Sequence, residues 1–192
     1  PATFVGFALL SDNSWTRKIH QRSERTVDIT AEEKSDEERN PESLVFDVGD
    51  MMAAVSLMPA PVPNGEAEEC AKNNYMWSEA EKTAKEHKAH IMVAVIGKEE
   101  SLIERGKLYV KLLSVCCHQK NITGIYTSGV VFQPRFYEGF SGMMKEDSLP
   151  IYNWICSGFT VPKRESAATP MEWSVSARTK WRSLTWMPTR QR

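Results

Sequence analysis

Residues 43–77 read SLVFDVGDMMAAVSLMPAPVPNGEAEECAKNNYMW, and the succession of patterns inside them decides what kind of fold the chain can form. Leu44, Phe46 and Val48 alternate as one face of a strand would, and Met51 to Met58 reads as a second strand. Gly49 and Asp50 between them are hairpin punctuation, since glycine takes φ > 0 freely and Asp tolerates it. Pro59, Pro61 and Pro63 then end the second strand, because proline cannot donate to a sheet ladder and holds the chain extended.

Asn64 and Gly65 followed by Glu66, Glu68 and Glu69 look like a helix start, with a side-chain cap, a turn residue and acids against the macrodipole. The spacing predicts a helix from about Glu66 to about Glu86, with Ala67, Cys70 or Ala71, Asn74, Trp77, Ala80 or Glu81 and Ala84 on one side. That stripe is small and partly polar. Two readings stay open here. In one, the prolines are a stiff connection, the glutamates are solvated, and Tyr75, Met76 and Trp77 are core. In the other, Asn64, Glu66, Glu69, Asn73, Asn74 and Trp77 line a recognition groove beside a rigid loop.

Outward from this stretch the pattern is mixed. Phe4 to Leu10 (FVGFALL) is an apolar run of strand length, read as a buried central strand. Trp15 to Arg25 gives a weakly amphipathic helix, and residues 28–41 are acidic with little to bury, which predicts an exposed connection. Ala89 to Ile96 (AHIMVAVI) reads as another buried strand closed by Gly97. The order strand, helix, strand, strand, helix, strand is that of a ferredoxin-like (split βαβ) sandwich of the α+β class. Glu99 to Gln119 has the clearest helical periodicity, weakened at Gly106. Ile122 to Phe132 reads as a strand broken or bulged at Gly129, Pro134 opens a short helix, and Leu149 to Phe159 reads as a last strand. An additional helix and strands thus extend the sandwich.

The phrases MMAAVSLMPAPVPNGEAEE, NNYMW, HKAHIMVAV, YTSGVVFQPRFY and LPIYNWI resemble those of the bacterial domain of unknown function family 4261. The resemblance covers roughly Thr3 to Gly158. It implies a bacterial intracellular α+β domain and transfers no catalytic residue.

Composition narrows the function classes. The 192 residues are 41% hydrophobic and 26% charged, with a net charge of −1, so no overall basic field recruits nucleic acid or an anionic membrane. One domain is expected over residues 1–159. Of the 24 basic and 25 acidic residues, seven and two lie from Thr160 onward, leaving a +5 tail behind a −6 body. Residues 160–192 carry three tryptophans without strand or helix periodicity, and are expected to be poorly ordered or read from a shifted frame. Back-translating ESAATPMEW with allowed codons can give GICGYTYGM one base over, which resembles the family's continuation. The same origin is a hypothesis for WTRKIHQRSER. An error-free gene with no family-like alternative frame rejects it.

The four cysteines, Cys70, Cys116, Cys117 and Cys156, include no CxxC pair, and without a secretory leader a reduced, cytoplasmic protein is the simpler account. No run is long enough to span a bilayer as an apolar helix, and Pro1 suggests a processed or missing start. His87 and His90 are weak acid-base or metal candidates, since a helix ends at the first and a strand begins near the second. Cys117 beside His118 is adjacency alone, Thr127-Ser128-Gly129 lacks a nucleophile-elbow frame, and Asp47 with Asp50 lacks a third partner. No metal and no cofactor is expected. The favoured reading is a non-catalytic binding or interaction module with a protein partner, of undetermined oligomeric state. A small-substrate enzyme using Glu66, Glu69, His87 and His90 is the alternative.

Overall fold

The computed structural model describes residues 3–15, 32–33, 42–97, 102–142, 144 and 149–154, all within the unit Pro1–Gly158. The readings of residues 160–192, of most of 15–25, and of 155–159 fall outside the described residues.

Strand β1 (Thr3–Leu10) sends Ala8 and Leu10 to one face and Leu9 to the other, all fully buried, as a strand apolar on both faces must. Glu32–Glu33 forms a two-residue strand, β2, against β3 (Ser43–Val48), so part of the acidic stretch is sheet edge and not open connection. Gly49, at φ 60°, turns β3 back onto β4 (Met51–Met58) with Val48 opposite Met51. Beyond the prolines, a turn of 3-10 helix (Pro63–Gly65) leads into α1 (Glu66–Ala71). Asn64 does not cap that helix with its side chain. It contributes a left-handed backbone instead, at φ 60° and followed by Gly65 at φ 65°, which redirects the chain.

The expected long helix is two short ones, α1 and α2 (Ala80–Glu86). The interruption has a local cause. Asn74 Oδ1 accepts the Met76 amide at 3.0 Å, an alternative to continuing the helical ladder that asparagine readily offers. Strand β5 (Ala89–Ile96), helix α3 (Leu102–Cys116), and strands β6 (Ile122–Thr127) and β7 (Val130–Phe132) follow. The expected bulge at Gly129 is a full hairpin turn, with Ser128 at φ 54° and Gly129 at φ 75°. Helix α4 (Pro134–Ser141) begins at its proline as read. Ile151–Trp154 is a helical turn, α5, and not strand. Its Asn153 amide bonds the Tyr137 carbonyl at 2.9 Å, and Trp154 lies on Gly106 of α3. A side chain at Gly106 would sit 2.8 Å from the Trp154 ring, which accounts for glycine inside that helix.

All strands join one antiparallel sheet in the order β2-β3-β4-β5-β1-β6-β7. The α+β class holds, and the strand assignment within it is corrected. A ferredoxin-like sheet places its first strand between the third and fourth; with β1, β3, β4 and β5 in those roles, β1 would separate β4 from β5. Instead β4 pairs directly with β5, and β5 pairs with β1. The strands that run parallel around an inserted neighbour are β5 and β6, joined by α3 with β1 between them.

The sheet carries a core on each side. On one, α3 and α4 bury Ala8, Leu10, Leu44, Phe46, Val55, Ile91 and Val93 against Leu108, Leu112, Leu113 and Tyr137. On the other, α1 and α2 bring Ala67, Ala71, Ala80 and Ala84 down onto Leu9, Tyr126 and Val131. These small residues let the helices lie close over β1, β6 and β7.

Candidate functional site

The proline corner is built from backbone and two imidazoles. Val62, the one buried residue of the segment, donates its amide to His87 Nε2 at 2.8 Å, and His87 Nδ1 bonds the Ala84 carbonyl at the end of α2. A carbonyl can only accept, so His87 is the neutral Nδ1–H tautomer with Nε2 as acceptor. His90 Nδ1 donates to the Ala60 carbonyl at 2.8 Å, and its ring meets Phe7 edge to face at 5.4 Å. Burial holds its pKa below the ordinary 6.5, against the Ala60 bond, and His87 adds to the lowering.

The six groove candidates do not gather around one cavity. Asn73 donates its side-chain amide to the Gly129 carbonyl at 2.9 Å, and Asn74 donates to Val131 at 2.8 Å. Both bracket the β6–β7 hairpin. Trp77 packs, half-buried, against the second core. Glu66 Oε1 accepts the Tyr126 hydroxyl at 2.6 Å, with Cys70 Sγ 3.6 Å from the same oxygen. Burial, then the bonds to Glu66 and Cys70, push the Tyr126 pKa up. Glu69 is exposed and pairs with Lys72 at 2.5 Å, and Asn64 is exposed at the turn. Tyr75 and Met76, read as core in the plainer alternative, are exposed.

Nor do the acid-base candidates converge. Neither imidazole bonds the other, Glu66 or Glu69; each is occupied by backbone. His118 pairs with Glu138 at 2.9 Å, whereas Cys117 donates to its own helix at Leu113. Burial first, then Cys116 and Glu138, raise the Cys117 pKa far from thiolate chemistry. Among the described residues no three His, Cys, Asp or Glu side chains gather as a metal site.

What the structure exposes lies elsewhere. Helices α1 and α2 cover only the β1-β6-β7 half of their face. Across the other half the register sets Met52 beside Ile96, Ala54 beside Ala94 and Ala94 beside Val5. Val5 is 44% exposed, Met52 41% and Ile96 37%, with Val45, Ala54, Met92 and Ala94 half-buried around them. At its corner a cavity of about 300 Å³ opens between the Gly49–Asp50 turn and Met51, Met52, Ile96 and Gly97. The result is an apolar sheet surface bordered by Asp47 and exposed Asp50. Such a surface can bind by burial.

Reading the residues alone missed this face, although its signal is present. AHIMVAVI, which reads as a buried strand, and MMAAVSLM beside it are mostly apolar at both alternations, interrupted only at His90 and Ser56.

Comparison with family models, with characterised proteins and with solved structures returns no match. Among the described residues no helix is long and apolar enough to cross a membrane.

Proposed function

We propose that the protein is a non-catalytic interaction module that recognises a protein partner through the half of its sheet that α1 and α2 leave exposed. The observation that carries this reading is the contiguous row Val5, Met52 and Ile96 on a face that α1 and α2 leave open. The partner's chemistry follows from the border. An apolar centre flanked by a basic side chain would complement the sheet surface and the exposed carboxylate of Asp50. The enzyme reading draws no support from residues 66, 69, 87 and 90, because each is already engaged, Glu66 by Tyr126, Glu69 by Lys72, and His87 and His90 by backbone.

A ferredoxin-like core belongs to this proposal, with β1, β4, β5 and β6 as its four strands. Their order in the sheet and the α3 connection support it; the α1–α2 segment is then an insertion. Free thiols at Cys70, Cys116 and Cys117 fit an intracellular setting, in keeping with the resemblance to a bacterial family.

The test is site-specific photocrosslinking in cells of the source organism. A photoreactive residue at Met52 or Val5 is expected to capture one protein partner, and the same residue at Lys82, on exposed α2, to capture none. Ile96→Glu, checked for folding by circular dichroism, should abolish the Met52 adduct. Equal capture at Lys82, or an adduct indifferent to Ile96→Glu, removes the proposal.

A further inference from the structure

The five residues Pro59–Pro63 are suspended from two buried imidazoles that use opposite halves of their chemistry. His87 accepts, from the Val62 amide; His90 donates, to the Ala60 carbonyl. Both rings are almost wholly covered, at 4% and 5% exposure. The Val62 bond exists only while His87 is neutral, and the His90 bond is undisturbed by charge but sits in a covered site. A proton on His87 Nε2 would set N–H against the Val62 N–H, replacing a hydrogen bond with two facing donors. A proton on His90 would leave the Ala60 bond in place but bury a cation beside a second imidazole.

The groups facing the pair offer no compensation. From the loop come the Ala60 carbonyl and the Val62 amide, from α2 the Ala84 carbonyl, from β1 the Phe7 ring, and from β4 Met58, the register partner of His90. Lys85, Glu86 and Lys88 flank His87 along the chain and are exposed. Phe7 also stacks on Tyr126 at 5.6 Å, and beyond it Glu66 is engaged by that hydroxyl. Glu81 holds Lys85. Among the described residues neither imidazole has a carboxylate partner.

We infer that the proline corner is a pH-operated latch, closed while His87 and His90 are neutral and released when they take up protons. The geometry gives the sign, because a proton on His87 Nε2 faces the Val62 N–H, and the lowered pKa of His90 points the same way. A histidine kept neutral in the closed form contributes stability that is complete above its ordinary value of 6.5 and is lost as pH falls through its depressed one. Release uncovers Val62 and with it the rim of the α1–α2 core, while the α3 side of the sheet is untouched.

Amide hydrogen exchange on the full chain tests this, from about pH 7.5 to about pH 5 and corrected for the intrinsic rate. Protection of Val62 should fall about tenfold per pH unit below the imidazole titration, while Val93 and Leu112 keep theirs. His87→Gln retains an amide oxygen that can accept from Val62 and cannot titrate, so its Val62 profile should be clearly shallower than that of the native chain, with only the His90 contribution left. If that variant does not fold, nuclear magnetic resonance titration of the native rings decides alone. Movement of the Val62 amide resonance in step with the rings supports the latch. Rings that titrate without moving it, or Val62 losing protection only together with Val93, overturn it.

Discussion

Ser128 sits at φ 54°, where a Cβ is costly, and Gly129 follows at φ 75°. Two positive φ angles in a two-residue hairpin favour asparagine then glycine. Ser128→Asn is therefore expected to stabilise the protein by about 0.5 kcal/mol, read as a rise in the urea midpoint at unchanged slope. Gly6 is constrained for a different reason. A methyl group there would stand 2.1 Å from the Tyr109 hydroxyl, which lies across β1 to bond the Val5 carbonyl at 3.0 Å and Thr127 at 2.5 Å. Gly6→Ala should cost about 3 kcal/mol, and combining it with Tyr109→Phe should cost clearly less than the two changes summed. Equal sums in chemical denaturation would show that the two positions do not meet. Nothing in FVGFALL announces Gly6 as special, because the tyrosine above it comes from a helix far along the chain.

Between β7 and the chain before it, the bracket is a pair of asparagine side chains. Asn74→Ala removes the bond to Val131 and the one that turns residues 74–76, so a loss of about 2 kcal/mol is expected. Proteolysis should then cut first near Ser128; cleavage patterns identical to the native protein would refute the bracket. Element existence was legible in the residues wherever the period was clean, as in α3 and in the β3–β4 hairpin. It was illegible where a distant contact decides. Residues 66–86 have helical spacing throughout, but the amides of Asn73 and Asn74 bond the β6–β7 hairpin more than fifty positions later. Ile151–Trp154 is apolar enough for a strand, yet Asn153 and Trp154 find partners on α4 and α3. The candidate site shows the same limit. Asparagines beside a tryptophan suggest recognition, and only the fold shows them serving a hairpin, whereas the open face is composed of residues that look like ordinary core.

At the scale of the fold, burial of acids whose ionised form it disfavours sets an alkaline boundary. Burial raises Cys116 from 9.0 to about 12, and raises Cys117, Tyr109 and Tyr137 as well. Their folded values exceed the unfolded ones, so their contribution is complete below 9.0 for the thiols and 10.0 for the phenols, and is lost progressively as pH rises from there through the folded values. Urea unfolding should show stability falling above about pH 9, by roughly 1.4 kcal/mol per pH unit for each group engaged; a flat profile to about pH 11 would contradict the burial. The position of β1 has a further consequence for how the polypeptide is made. It lies inside the sheet, but both its neighbours, β5 and β6, begin only at Ala89 and Ile122. During synthesis on the ribosome FVGFALL must wait, unpaired, for most of the domain to emerge, and in that interval it is the segment with the greatest need of a chaperone.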